Sequence, residues 1–365
     1  MPTHPRSSPP GVPLSRDYRP PASPTRGLED FAVHVVRWQR AHGRSGLPWQ
    51  ATRDPYRVWL SEIMLQQTQV STVLGYYERF LARFPDVAAL AAAPEDEVLG
   101  LWSGLGYYSR ARNVHRCAQA VVQDHGGTFP RSAQALQTLP GIGRSTAAAI
   151  AAFCFDERVA ILDGNVKRVL ARVLAYGDDL ASAANEKRLW ALAQDLVPAD
   201  GTDMPAYTQG LMDLGATVCL PRNPSCLLCP ARDLCTAHRE ATPERYPVRT
   251  RKLRRTAQSL WLLQAVRADG AVWLEKRPAR GVWASLHCLP VFESREALSQ
   301  SLPVRAALED GQPFVHVLTH KDLHLHPVQV RLDDVPPREG RWCSRAEWEA
   351  LGLPAPVRRL LEAGA

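Results

Sequence analysis

From Leu28 to about residue 215, apolar residues recur at helical spacings of three and four, and Pro, Gly or Asp separates each run from the next. This pattern predicts amphipathic helices joined by short connections. The predicted segments are 28–42, 56–83, 95–101, 109–124, 132–137, 144–153, 164–175, 185–197 and 205–217. The first part of the chain is therefore expected to form an all-α domain.

Beyond residue 256 the pattern changes from helical to alternating. Asp269-Gly270 separates two alternating runs, which is a hairpin signal. Strands are predicted at Leu260–Val266, Ala271–Glu275, Phe314–Leu318 and Leu323–Leu332, and a closing helix at 356–363. In the last strand, strict alternation would turn Leu325, Pro327, Gln329 and Arg331 away from His324, His326, Val328 and Val330. These elements predict a separate α+β domain.

The two patterns divide the chain into four parts. We expect a disordered proline-rich tail over residues 1–27, an all-α domain over 28–242, a basic connector over 243–256 and the α+β domain over 257–365.

Composition narrows the choice of partner and compartment. The formal charge of +7 and the pI of about 9.1 favour an acidic partner, either nucleic acid or anionic lipid. No apolar run approaches the roughly 18 residues of a membrane span, and no signal-peptide core is visible. We therefore expect a cytoplasmic protein without a membrane partner, which works as a monomer.

Four of the eight cysteines, Cys219, Cys226, Cys229 and Cys235, lie within 17 residues, and the others are scattered singly. This distribution favours a metal site in a reducing compartment over disulfides. Four thiolates on one short loop suit a [4Fe-4S] cluster, but the spacing alone leaves zinc open.

The stretch from Leu139 to Arg168 combines two features with chemical potential. Gly141 and Gly143 flank an apolar residue ahead of an alanine-rich helix, which predicts a hairpin whose backbone N–H groups bind a phosphate. Asp163 stands directly before a second helix and is its natural N-cap.

Glu62 lies among Trp59, Ile63 and Met64 on a predicted helix. A carboxyl that is desolvated by such neighbours has a raised pKa and becomes a general-acid candidate. The alternative is an exposed glutamate on a half-buried helix. Gln66, Gln67 and Thr68 continue the same predicted helix as an ordinary polar face or as donors to base edges.

Residues 102–113 join two glycines and two tyrosines to Arg110 and Arg112. Such a segment suits a loop that inserts a ring between bases while its arginines hold phosphates. Ordinary packing of the tyrosines, with the arginines in solvent, is the alternative.

Together these motifs resemble the MutY-type adenine DNA glycosylases of the helix-hairpin-helix endonuclease III superfamily. The resemblance extends from Leu28 to Ala363 and includes Leu47-Pro48-Trp49-Gln50. It implies an all-α helix-hairpin-helix glycosylase domain with an iron-sulfur cluster loop, followed by an α+β Nudix-like C-terminal domain. It also implies excision of adenine opposite 8-oxoguanine or guanine in double-stranded DNA, by hydrolysis of the N-glycosidic bond after base flipping. The Nudix signature is missing, so nucleotide hydrolysis is not expected.

The resemblance also implies roles for individual residues. The catalytic residues would be Glu62, Asp163 and Asn165, and the cysteine loop would hold a [4Fe-4S] cluster. The DNA contacts would be Gln67, Thr68, Tyr107, Gly141, Gly143, Ser145, Thr319 and His320. The adenine pocket would include Trp49, Gln50 and Gln209. The family's Phe-Ser-His lesion-reading loop appears here as Leu318-Thr319-His320.

Ser145 occupies the position at which bifunctional relatives carry a lysine, and no lysine occurs before Lys167. A monofunctional glycosylase is therefore expected, because strand cleavage through an imine needs an amine. An endonuclease III-like lyase acting on oxidised pyrimidines and a non-enzymatic lesion-binding protein are the alternatives.

Overall fold

The structure is a computed structural model that describes residue 25 and residues 27–250, 255–302, 307–332 and 339–363. The expected disordered tail, apart from residues 25 and 27, lies outside the described residues. No helix in the described part of the chain has the length and apolar character that a membrane span requires.

The first domain is helical, and each predicted segment contains a helix. Its helices are α1 (Phe31–His42), α2 (Pro55–Leu65), α3 (Val70–Arg83), α4 (Val87–Ala92), α5 (Glu95–Leu101), α6 (Tyr108–His125), α7 (Ala133–Leu136), α8 (Arg144–Phe155), α9 (Gly164–Val173), α10 (Ala183–Asp195), α11 (Met204–Asp213) and α12 (Thr236–Arg239). Helix α4 was not predicted, because its six residues are too few to show a helical period.

The prediction of one continuous segment over 56–83 is wrong in one respect. Helix α2 ends at Leu65 and α3 begins at Val70, and Gln67 between them has a φ of 57°. The last carbonyls of α2 are bonded by the side chain of Arg110. Gln66, Gln67 and Thr68 therefore lie on a turn and not on a helix face.

Helix α8 is the central element of this domain. Residues 147–152 are all buried, and they divide between two hydrophobic clusters that lie on either side of the helix. A helix that is apolar on every face belongs in the interior, and its alanines allow neighbouring helices to approach closely. The N-terminus of α8 directly follows the glycine hairpin, so the buried helix fixes the position of the hairpin.

The C-terminal domain is built on a mixed sheet in which β1 and β7 pair in parallel. Its strands are β1 (Thr256–Val266), β2 (Val272–Lys276), β3 (His287–Cys288), β4 (Val291–Phe292), β5 (Leu308–Asp310), β6 (Phe314–Val317), β7 (Lys321–Arg331) and β8 (Arg341–Cys343). Its helices are α13 (Arg295–Gln300), α14 (Arg345–Glu349) and α15 (Ala355–Ala363).

The expected alternation along β7 is confirmed, because the odd-numbered and even-numbered residues lie on opposite faces of the sheet. Leu323 and Leu325 are buried in the cluster with α14 and α15, whereas Val328 and Val330 are buried in the cluster with α13. Because helices cover both faces of the sheet, both sets of side chains along β7 are apolar where they meet a helix.

Candidate active site and nucleic-acid interface

A cavity of about 1060 Å³ opens between the α2–α3 turn, the N-termini of α8 and α9, and α11. It is lined by residues that include Glu62, Gln67, Thr68, Ser145, Asp163, Asn165 and Gln209. A volume of this size is in the range of ligand-binding clefts. The fold thus brings Glu62 and Gln209, which are 147 positions apart in the sequence, to the same cavity.

Glu62 extends from α2 into this cavity while its helical neighbours Trp59, Ile63 and Met64 are buried in the core. Burial, and to a smaller extent the nearby charge of Asp163, raise the pKa of Glu62 to about 8. The carboxyl therefore holds a proton at neutral pH and can donate it, which is the property expected of a general acid.

Asp163 reaches the same cavity from the start of α9. Its Oδ1 accepts a hydrogen bond of 2.7 Å from the backbone N–H of Val166, as the N-cap prediction requires. This bond fixes the side chain, and the helix dipole favours negative charge at that position. The cavity thus contains one protonated carboxyl and one carboxyl at a helix N-terminus.

Two residues near Asp163, Asn165 and Ser145, fix the position of the elements that line the cavity. Asn165 packs directly against the backbone of Gly215, where a Cβ would lie 2.6 Å from the Asn165 Cβ, and its Oδ1 accepts a bond of 2.9 Å from Arg168. Ser145 Oγ accepts a bond of 3.1 Å from the N–H of Leu162. Ser145 therefore ties the hairpin helix to the loop that ends at Asp163.

The glycine hairpin lies at the N-terminus of α8. Gly141 has a φ of 75°, and a Cβ there would lie 2.5 Å from the Cβ of Asn113. Only glycine satisfies both constraints at this position. Gly143 is the N-cap of α8, so the first N–H groups of that helix point outward beside the turn.

Arg110 connects two loops beside the cavity. It is only 7% exposed. Its guanidinium donates to the carbonyls of Ile63, Met64, Gln66, Leu105 and Gly106 and to Thr68 Oγ1, over 2.7–3.2 Å. Burial lowers its pKa to about 10, so it stays charged at neutral pH. The expectation that it holds a phosphate is wrong, because its donors bind the α2–α3 turn and the loop before Tyr107.

Tyr107 is 46% exposed and has a φ of 48°, at the end of the loop that Arg110 holds. Its hydroxyl lies 3.5 Å from Thr319 Oγ1, at the tip of the β6–β7 hairpin. His320 is also exposed at this tip, whereas Leu318 packs against the core of the C-terminal domain. The structure thus brings Tyr107 of the helical domain to Thr319 of the second domain.

The three residues expected in the adenine pocket have different surroundings. Trp49 is 7% exposed and packs edge-on against Tyr77. Gln50 bonds the N–H of Leu47 and the carbonyl of Arg44, so its amide closes a turn. Gln209 lines the cavity. Trp49 also lines this cavity, whereas Gln50 lines an adjoining cavity together with Trp49 and Gln209.

The sequence did not predict the ion pair of Arg44 and Asp213, which holds the side chain of Gln209. Asp213 is 1% exposed and accepts bonds from Gln209 Nε2 at 2.8 Å and from Arg44 Nε at 2.7 Å. Arg44 itself lines the cavity. The spacing of Gln209 and Asp213, four residues apart on a predicted helix, was a local signal for part of this arrangement.

The four cysteine side chains line one cavity together with Arg172, whose Nη1 lies 3.3 Å from Cys219 Sγ. Burial raises the pKa of Cys229 to about 12, so a bound cation is needed to keep that sulfur as a thiolate. In the described part of the chain, no three His, Cys, Asp or Glu side chains converge closely enough to hold a single metal ion. The donor set, four sulfurs around one cavity with a guanidinium beside it, fits a cluster.

Helix α9 links the cysteine loop to the active site. Arg168 and Arg172 on this helix donate to the carbonyls of Cys219 and Leu220, both at 2.7 Å. Because Asp163 is the N-cap of α9, the loop supports the helix whose N-cap lines the same cavity as Glu62.

Two family models cover these parts of the chain. Residues 60–195 match the HhH-GPD superfamily base excision DNA repair proteins, and residues 262–363 match the NUDIX domain. The helical domain is also similar to the structure of a thermostable thymine-DNA glycosylase, with a TM-score of 0.52 and 29% identity over 59% of this chain and 99% of that one. An endonuclease III–DNA complex has the same fold, with a TM-score of 0.50 and 19% identity over 60% and 97% of the two chains. The fold and site therefore define a helix-hairpin-helix DNA glycosylase, a DNA-binding enzyme of base excision repair.

Two relatives identify the family within this class. The adenine DNA glycosylase of Buchnera aphidicola subsp. Acyrthosiphon pisum is 35% identical over 341 residues, which cover 91% of this chain and 97% of the relative. The human adenine DNA glycosylase is 46% identical over 224 residues, which cover 59% and 40%. The chain belongs to the adenine DNA glycosylase family.

Proposed function

We propose that the enzyme hydrolyses the N-glycosidic bond of adenine mispaired with 8-oxoguanine, or with guanine, after the adenine has flipped into the cavity. The observation that carries this proposal is the pair of Glu62, with its raised pKa, and Asp163, at a helix N-terminus, in one cavity. Release of a purine needs a proton for the leaving base and negative charge beside the sugar.

The two carboxyls take opposite roles in this reaction. Glu62 donates its proton to the purine ring, and the C1′–N9 bond breaks with its electron pair leaving on the neutral base. The sugar becomes an oxocarbenium-like cation, which the Asp163 carboxylate stabilises electrostatically or by transient covalent capture. Water then adds to C1′ and gives its proton to the Glu62 carboxylate, which restores the acid. Asn165, whose side chain is held by Arg168, orients the sugar and the water beside Asp163.

Ser145 supports a monofunctional reaction. Its hydroxyl accepts the Leu162 N–H, and it offers no amine to the sugar. Lys167, the first lysine in the chain, forms an ion pair of 2.6 Å with Glu186. Neither Ser145 nor Lys167, as the structure describes them, offers the sugar an amine, so imine formation and the strand cleavage that follows from it are not expected.

We propose that the two loops joined by Arg110 distort the duplex and read the base opposite adenine. Gln67 and Tyr107 both have positive φ and are exposed at the tips of these loops. Thr319 and His320 approach the same point from the second domain. Gly141, Gly143 and the first turn of α8, with Ser145, hold a phosphate of the strand, and Trp49, Gln50 and Gln209 shape the adenine pocket.

We further propose a [4Fe-4S] cluster on Cys219, Cys226, Cys229 and Cys235, which when bound supplies structural stability to the loop and to α9. Protein purified without oxidation should contain about four iron atoms per chain and show broad visible absorbance. Cys229→Ser should lose both signals and lower the melting temperature. Cys117→Ser should retain iron, because Cys117 is buried in a different hydrophobic cluster from the one beside the cysteine loop. About one zinc per chain in place of iron would contradict the proposal.

The described residues also suggest where the domains join. Tyr246 is buried against the helical domain, and its carbonyl accepts a bond from Arg172 at 3.2 Å. The carbonyl of Val248 accepts the N–H of Leu180 at 3.0 Å. We therefore propose that residues 243–250 belong with the helical domain and that the second domain starts at 255.

The central test is release of adenine. A duplex with adenine opposite 8-oxoguanine should acquire an alkali-labile site in the adenine strand under single-turnover conditions, and a duplex with adenine opposite guanine should react more slowly. The same strand should stay uncut without alkali, and borohydride should trap no covalent complex. An intact strand with tight binding would identify a non-enzymatic lesion-binding protein. Efficient trapping on oxidised pyrimidines would identify a lyase.

A further inference from the structure

The second domain docks on α5 and α6 through direct backbone contacts. A Cβ on Gly100, in α5, would lie 2.2 Å from the carbonyl oxygen of Ala350. A Cβ on Gly352 would lie 2.7 Å from the Cβ of Leu99 and 3.1 Å from its carbonyl oxygen. The two glycines face opposite ways across the same contact, which leaves no room for a side chain on either.

Polar and apolar contacts extend this interface. The Tyr108 hydroxyl donates to the carbonyl of Leu353 at 2.8 Å, and Arg112 donates to that of Ala284 at 2.7 Å. Asp96, on α5, pairs with Lys276 at 2.6 Å. Leu286 of the second domain is 1% exposed and belongs to the hydrophobic cluster of the helical domain. The two domains therefore share part of one core.

The interface is connected to the place where Tyr107 of the helical domain lies beside Thr319 of the second domain. On the helical side, Tyr107 directly precedes Tyr108, the first residue of α6. On the other side, Leu351 and Leu353 pack with Leu323, near the start of β7 and the hairpin tip that carries Thr319. A shift of residues 350–353 would therefore move Thr319 relative to Tyr107.

We propose that the close packing of residues 350–353 on α5 positions Thr319 beside Tyr107 and thereby sets the preference for 8-oxoguanine over guanine. Gly100, Gly352 and Tyr108 are positioning residues in this account, because they act through the hairpin tip. The inference rests on the proposed function, since it concerns how that function distinguishes two opposing bases.

The test is Gly100→Ala. Alanine favours a helix over glycine, so α5 itself should not weaken, while the added Cβ cannot coexist with the Ala350 carbonyl. Gly75→Ala is the matched control, because Gly75 also lies inside a helix, α3, and its Cβ would meet only the side chain of Arg79 at 3.6 Å. For each variant, kcat/KM is measured on adenine opposite 8-oxoguanine and adenine opposite guanine.

We expect Gly100→Ala to lower kcat/KM for the 8-oxoguanine duplex by about five- to tenfold, the effect of one lost hydrogen bond, and to leave the guanine duplex unchanged. Tyr108→Phe, which removes only the hydroxyl that bonds the Leu353 carbonyl, should lower the ratio of kcat/KM on the 8-oxoguanine duplex to kcat/KM on the guanine duplex by a smaller factor. Gly75→Ala should not change it. An unchanged ratio in both interface variants, or an equal loss on both duplexes, overturns the inference. A wild-type enzyme that acts equally on both duplexes also overturns the inference, whereas one that releases adenine from neither duplex overturns the proposed function.

Discussion

Glu62→Gln should reduce the rate of adenine release by about 10²- to 10⁴-fold, which is the usual contribution of a general acid. Glutamine keeps the shape of the side chain and its place among Trp59, Ile63 and Met64 but has no proton to transfer to the purine. Binding of the mispaired duplex should remain within a few-fold of wild type. Single-turnover base release and a gel-shift titration measure the two quantities separately.

The stability of this variant provides an internal control. The pKa of Glu62 is about 8 in the folded chain and 4.5 when solvated, so the folded state binds the extra proton between these values. The free energy of unfolding of the wild type therefore falls as pH rises through this window. Glutamine lacks this penalty, so Glu62→Gln should melt at or above the wild-type temperature at pH 8. Lower activity in a more stable protein cannot result from unfolding.

The wild-type pH profile checks the same assignment without a mutation. Because the protonated form of Glu62 is the active one, the rate should be level at neutral pH and decline as pH rises through about 8. The alkaline limb should be absent from the residual rate of Glu62→Gln and present in Glu78→Gln, which changes an exposed glutamate on α3. Retention of more than about a tenth of the wild-type rate by Glu62→Gln would remove Glu62 from the mechanism.

The parts of this site that sequence predicts are those defined by near neighbours. Glu62 lies within one turn of three apolar residues, so the local pattern was enough to make a raised pKa one of the two interpretations. Asp163 caps the helix that it immediately precedes, and the glycine hairpin and the cysteine spacing are equally local. The fold class follows from the change between helical and alternating patterns near residue 256.

The parts that sequence did not predict depend on partners far along the chain. Arg110 was read as a phosphate contact, but its donors bind carbonyls up to 47 positions away, which only tertiary packing brings near. The break after Leu65 has the same origin, because Arg110 bonds the carbonyls that a longer helix would use itself. Arg44 and Asp213 are 169 residues apart, and no local pattern couples them.

The domain interface was equally inaccessible. Gly100 lies in a helix where the sequence offers no turn that would need glycine, and its reason lies in Ala350, 250 positions later. A glycine without a local explanation is therefore informative in this chain, since it marks where a second backbone approaches.

Asp163→Asn should lower the rate of base release by at least about 10²-fold, because it removes the negative charge beside the cationic sugar. Asparagine caps a helix as well as aspartate does, so the bond to the Val166 N–H and the fold of α9 should be retained. Because the Asp163 charge contributes to the raised pKa of Glu62, the alkaline limb of the residual activity should move to lower pH.

Asp86→Asn is the matched control for this change. Asp86 caps α4 through a bond of 2.8 Å to the N–H of Ala89 and does not line the cavity. Asp163→Ala should lose the charge and the cap together, at an added cost of about 1 kcal/mol in the free energy of unfolding. If Asp163→Asn matched the Asp86→Asn rate and only Asp163→Ala were impaired, Asp163 would be a helix cap without a role in the chemistry. A loss in Asp163→Asn at unchanged melting temperature would instead assign the effect to the charge, which places the two carboxyls in one reaction.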